Sequence, residues 1–179
     1  MDESKEKSQE ENALEESLTK LKWQVHAEQR ADVLNRIRTH QKLTEEEERL
    51  GVRMEDLEPQ VRDAVLVFNK KGYSTYSSGF WGRNSEYQTI EGDYKLDQDT
   101  QKKLEEMGIE VTVKPSWKYN IDLRSGESDS NMPEDARFTT NIRFKPKRAN
   151  LEEMKSTWDQ IANLIPDRGK PAESPYRKS

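Results

Sequence analysis

Residues 59–92 read PQVRDAVLVFNKKGYSTYSSGFWGRNSEYQTIEG, and within them the spacing of apolar residues changes from that of a helix to that of a strand. Pro59 suits the first turn of a helix, where its missing N–H is no loss. Val61, Ala64, Val65 and Phe68, with Leu57 just upstream, recur at core-facing helical spacing. Lys70 and Lys71 complement the negative end of the helix dipole, and Gly72 ends the helix. Residues 73–78 are rich in aromatic and β-branched side chains and predict a strand. A break is expected at Gly79-Phe80-Trp81-Gly82, with a returning strand over residues 86–91 that ends at Gly92.

Downstream, residues 97–107 predict a short helix with Leu96, Leu104 and Met107 inward and Gly108 as its stop. Three alternating runs follow: Ile109-Val111-Val113, then Trp117-Tyr119-Ile121-Leu123, then Phe138-Thr140-Ile142-Phe144. Each places every second residue on one face, as a half-buried sheet requires. Pro115 separates the first two runs, and the polar residues 125–133 predict a loop before the third. Asn150 is placed to cap a last helix whose Leu151, Met154, Trp158, Ile161 and Leu164/Ile165 share a face, with Pro166 as its end. The expected fold class is α+β: a mixed, largely antiparallel sheet of about five strands with helices on one face, allowing for a parallel crossover through the single helix. This domain is assigned to residues 52–166, and residues 167–179 are expected to be a flexible tail.

Upstream, residues 1–12 hold Met1 as their one large apolar residue and are expected to be disordered. Residues 13–42 form a helical arm free of Gly and Pro, in which Leu14, Leu18, Leu21 and Val25 step by four, three and four along one seam. A helix of about 28 residues is roughly 40 Å long, more than a small domain covers along its whole length. The seam is therefore expected to meet a protein partner or a second copy of the chain, a homodimer included. Residues 43–51 are read as a short acidic helix: Thr44 and Glu47 have capping-box spacing, and Gly51 stops the turn after Leu50.

The 179 residues are 31% hydrophobic and 36% charged, which suits a modest core with appendages. Residues 43–58 carry seven acids and two bases, so the whole formal charge of −5 falls in that short stretch. The balance provides no global attraction to nucleic acid or to an anionic membrane. With no Cys, disulfides and thiolate chemistry are excluded. His26 and His40 are the only histidines and are read as surface residues, so neither a metal nor a cofactor is expected. The chain has no apolar run long enough for a membrane span or a secretory signal, which makes the cytoplasm the expected compartment.

Two stretches are candidates for chemistry. The first is the turn at residues 77–83, where Ser77, Ser78, Gly79, Trp81 and Arg83 combine hydroxyls, backbone freedom, an indole and a guanidinium. Such a turn suits a nucleotide or RNA ligand, with Tyr73, Tyr76 or Tyr87 nearby. The plain alternative is that one aromatic folds back onto the core and the glycines make a wide turn. The second is basic: Arg143, Lys145, Lys147 and Arg148, after Arg137, with no acid from 137 to 148. A basic strand face is one way to hold RNA, although the outward positions lack an aromatic stack, and exposed Lys on strands also deters edge pairing. Neither a Walker-type loop nor a G-x-G-x-x-G occurs. No catalytic residues are assigned, because the carboxylates are abundant without selective spacing.

Residues 67–79, VFNKKGYSTYSSG, resemble a junction in small uncharacterised bacterial and phage proteins, in which a helix ends at Gly-Tyr and a strand leads into a Cys/Ser-Gly turn. The stretch is also similar to the Ser-Cys-Ser-Gly-Arg turn of the tRNA wybutosine-synthesis methyltransferase family, with Thr75, Ser77, Ser78, Gly79 and Arg83 at the matching positions. The cysteine of both patterns is missing here, and Phe80-Trp81-Gly82 intervenes before Arg83. The resemblance implies a helix–strand–turn geometry and no particular activity. The expectation from sequence is a non-catalytic interaction module working through its helical arm, with a ligand-binding turn and an RNA-binding strand face as the alternatives.

Overall fold

The computed structural model describes residues 3–116 and 137–172, with side chains from residue 9 onward. Its elements, in chain order, are α1 (Glu3–Arg38), α2 (Glu45–Leu50), a 3₁₀ turn (Met54–Asp56), α3 (Pro59–Lys70), β1 (Thr75–Trp81), β2 (Tyr87–Gly92), α4 (Gln98–Glu106), β3 (Glu110–Pro115), β4 (Phe138–Phe144) and α5 (Leu151–Leu164). The sheet order is β1-β2-β4-β3, and every described pairing is antiparallel. The α+β class therefore holds, and no parallel pair occurs among the described strands. The strand expected at 117–123 and the loop at 125–133 lie outside the described residues. Strand β1 runs on through Gly79 to Trp81, past the point where the glycine suggested a break.

Alternation assigns the two sheet faces. Phe80, Ile90, Ile142 and Phe144 point into the core, where they meet Val61, Val65 and Phe68 of α3, Leu104 of α4 and Met154, Trp158 and Ile161 of α5. The rings of Phe144 and Trp158 meet at a tilt of 59°, with 5.1 Å between centroids. Tyr73 and Tyr94 meet edge to face at 5.1 Å beside Phe68, closing the end of the core next to Gly72. Met107 and Leu164, both expected inward, are exposed, and the apolar residues that close these helix ends on the core are instead Ile109 and Ile165.

The local signals upstream of α3 are realised closely. Thr44 and Glu47 form a reciprocal capping box, and Gly51 adopts the left-handed conformation at the end of α2. Glu47 also serves a second purpose. Its carboxylate takes Arg36 Nη1 at 2.5 Å and Nη2 at 2.6 Å, while Arg36 Nη1 reaches Glu55 at 2.6 Å. The same guanidinium donates to the carbonyl of Lys42, and Glu47 accepts from the Met54 N–H. Both side chains are buried, so this clasp ties the end of α1 to α2 and to the 3₁₀ turn. The Arg36 hydrogen bond, outweighing the effect of burial, holds the Glu47 carboxyl far below the usual carboxylate range.

Three sequence expectations are corrected here. Helix α1 begins at Glu3, so the described part of the stretch assigned to disorder is helical, with residues 9–13 exposed. The seam of α1 is not free: Leu18 is 1% exposed and Val25 is likewise buried, and Leu14 and Leu21 pack partly against the same core. The helix lies against its own domain, held by Thr19 Oγ1 donating to the Asn84 carbonyl, by Gln29 to Glu55, and by the Arg36 clasp. The tail is also docked at its start. The N–H of Arg168 donates to Lys71 and that of Ala172 to Asn69, and the Arg168 guanidinium lies 4.1 Å above the Tyr73 ring. The rest of the tail lies outside the described residues.

The two faces of α1 make a direct test. Leu18→Ala should cost about 2–5 kcal/mol in urea unfolding of the full chain, as for a buried leucine, whereas Leu34→Ala on the exposed face should stay within about 0.5 kcal/mol. A second test uses pH. Because the folded carboxyl of Glu47 has a depressed pKa, its contribution is full above the unfolded value and is lost as pH falls through that range towards the folded one. Urea midpoints measured from about pH 6 to pH 3 should therefore fall less steeply in Glu47→Gln than in the native chain.

Candidate functional site

The residues of the 77–83 stretch separate. Ser77 and Ser78 line a cleft of about 310 Å³ with Leu57, Val65, Asn69 and Tyr76, between α3, the α2 connection and the start of β1. Gly79 has a different task. Its φ of +106° favours glycine, and a Cβ there would overlap the Glu58 carboxylate. That carboxylate accepts the Phe80 N–H at 2.9 Å on the open edge of β1, takes Gln60 Nε2 at 2.6 Å, and meets His26 Nε2 of α1 at 2.9 Å. The close approach allowed by this glycine is thus filled by the protein's own acid. Phe80 folds into the core and Trp81 points out, so one aromatic does return inward. Arg83 is exposed at the β1–β2 turn, away from the Ser77/Ser78 cleft.

Trp81 instead joins the basic strand. Antiparallel register places Trp81 opposite Tyr87, and their rings meet edge to face at 6.2 Å. Arg143, on the neighbouring strand β4, holds its guanidinium 4.5 Å from the Tyr87 ring centroid and 5.8 Å from that of Trp81. The Lys145 ammonium is 5.2 Å from the Tyr87 ring. The outward sheet face thus carries an aromatic pair interleaved with two cations, correcting the expectation that it lacks an aromatic stack. Arg143 also pairs with Glu110 of β3 at 2.7 Å. Lys145 makes no ion pair among the described residues.

Lys145 also reaches a second feature. With Lys147 and Arg148 it lines a cleft of about 260 Å³ between the α4–β3 turn and α5, whose floor includes Ile109, Phe144 and Met154. Arg148 pairs with Glu153 at 3.1 Å, while Lys147 makes no ion pair among the described residues. Further down the sheet face, Glu91 accepts from the Tyr76 hydroxyl at 2.8 Å and from Asn141 Nδ2 at 2.9 Å. Burial, reinforced by Glu91, raises the Tyr76 hydroxyl above its ordinary range.

Sequence reasoning missed a third feature, the outward face of α1. At 100° per residue, Trp23, Ala27, Arg30, Leu34 and Ile37 fall within an arc of roughly 80° on the side away from Leu18 and Val25. Trp23 is 63% exposed, Leu34 56% and Ile37 58%. The signal lies in the sequence: Trp23, Ala27, Leu34 and Ile37 recur at helical spacing on a face other than that of Leu18 and Val25.

Among the described residues, no three His, Asp or Glu side chains converge as a metal site would require, and no helix is long and apolar enough to cross a membrane. In comparisons with known proteins, the chain matches no family model, no curated protein and no solved structure.

The partition within the 77–83 stretch is checked by stability. Trp81→Ala should leave the melting temperature within a few degrees of native, whereas Phe80→Ala should cost about 3–5 kcal/mol, because only the second opens a core cavity.

Proposed function

We propose that the protein is a non-catalytic interaction module that receives a partner protein on the outward stripe of α1. The observation carrying this reading is the exposure of Trp23, Leu34 and Ile37 along a single face of a helix whose opposite face is anchored in the core. Large apolar side chains grouped in this way mark a contact surface rather than ordinary surface scatter. The stripe from Trp23 to Ile37 is about 21 Å long, three helical turns and more, which suits a helix laid along it.

Charge selects the occupant. Lys20, Arg30 and Arg38 lie in or beside the stripe, with Glu16 at its N-terminal end near Trp23, while Glu28 and Asp32 lie towards the other sides of the helix. Pairing two copies so that their apolar residues match, antiparallel about Arg30 or parallel in register, sets Arg30 against Arg30 and basic flank against basic flank. Like charges at such close range disfavour a self-pair. The partner that fits presents an apolar helical face flanked by Asp or Glu.

Fluorescence anisotropy with three labelled helical peptides that share one Leu/Ile face, flanked by acidic, neutral or basic residues, tests this on the full chain. The acidic peptide should bind best, Leu34→Ser with Ile37→Ser should weaken it about tenfold or more, and Arg30→Glu should reverse the ranking. Equal binding of all three, or none, overturns the reading. Concentration-dependent dimers in sedimentation velocity that Ile37→Ser abolishes would instead give the stripe to a second copy.

A further inference from the structure

Apart from α1, the aromatic–cationic face and the basic cleft share Lys145, and together they form one continuous surface. It begins at Trp81, 48% exposed at the edge strand, passes over Tyr87 and Arg143, and continues through Lys145 to Lys147 and Arg148. We propose that this surface binds single-stranded nucleic acid, with a base stacked on Trp81 and the phosphate backbone following Lys145, Lys147 and Arg148.

Each part has a physical reason. An exposed indole held upright by an edge-to-face tyrosine offers an open ring to a planar base, and stacking of this kind is tolerant of base identity. Arg143, held by its ion pair with Glu110, places its guanidinium over the rings of Tyr87 and Trp81, where it adds positive charge to the platform. Lys145 and Lys147 carry uncommitted charge among the described residues, and Arg148 carries charge shared with the exposed Glu153. The acids on the same sheet face are already engaged: Glu110 by Arg143, and Glu91 by Tyr76 and Asn141. The chain's surplus of negative charge lies elsewhere, in residues 43–58. Duplex is excluded as the preferred ligand because its bases present edges, not faces, to a side chain in a groove.

Fluorescein-labelled dT12 and rU12 titrated with the full chain at 50 mM salt provide the measurement, with a 12-base-pair duplex and a poly-glutamate peptide as comparisons. Both single strands should bind more tightly than the duplex. The logarithm of affinity should fall against the logarithm of salt with a slope of about −2, corresponding to about three phosphates at roughly 0.7 each. Trp81→Ala should weaken binding about fivefold or more at unchanged slope, whereas Lys145→Glu should weaken it with a shallower slope. Circular dichroism melts of both variants should match the native chain, since both side chains are exposed. Absence of binding at tens of micromolar protein, equal binding of duplex, or affinity indifferent to Trp81 overturns the proposal. Binding of poly-glutamate as tight as that of dT12 would reassign the surface to acidic peptides.

Discussion

Arg36 lies buried at the end of α1 with two carboxylates and two backbone carbonyls around its guanidinium. A charge removed from water is tolerated only where its partners surround it, and here the two carboxylates come from later segments, Glu47 of α2 and Glu55 of the 3₁₀ turn. The clasp therefore fixes both the axial position and the rotation of a helix about 54 Å long. Once the rotation is set, Leu18 and Val25 must enter the core, and Trp23, Leu34 and Ile37 must face away from it. The helix does not stand free as an arm. It is a structural element with one face spent on its own domain and one still open.

The sheet uses the same economy at its edge. Strand β1 exposes a row of backbone groups, the usual template for unwanted pairing, and Glu58 closes that edge at Phe80 while His26 of α1 meets the same carboxylate. Gly79 makes room for this acid, which explains the glycine without recourse to a ligand. Across the sheet, the register of β1 on β2 and of β2 on β4 assembles Trp81, Tyr87 and Arg143 from three strands. Two segments that are sixty residues apart in sequence become one surface because antiparallel neighbours present the same parity to the same side.

Much of the fold was legible because its signals are local. The capping box at Thr44 and Glu47, the Gly51 stop, Pro59 at the first turn of α3 and the Asn150 cap of α5 each involve residues within one or two turns of each other. Alternation in residues 109–113 and 138–144 similarly needs no knowledge of the partner strand. The site was legible only in parts. Trp81 and Lys145 were each singled out, but as members of two separate candidates, since nothing in either stretch encodes its distance from the other. Tyr87 enters only as a neighbour, and the outward stripe of α1 is overshadowed by the stronger seam of Leu14, Leu18, Leu21 and Val25.

The sequence by itself determined which segments are helices and strands, where most of them end, and that the chain is an α+β protein, because propensity, capping and period act over a few residues. Tertiary structure decided which face of α1 is inside, whether the tail begins loose or docked, and which aromatics keep company with which cations. Those choices rest on buried ion pairs and strand register between distant residues. Arg36 finds Glu47 and Arg143 finds Tyr87 only after the chain has closed on itself, and no local pattern carries the energy of that meeting.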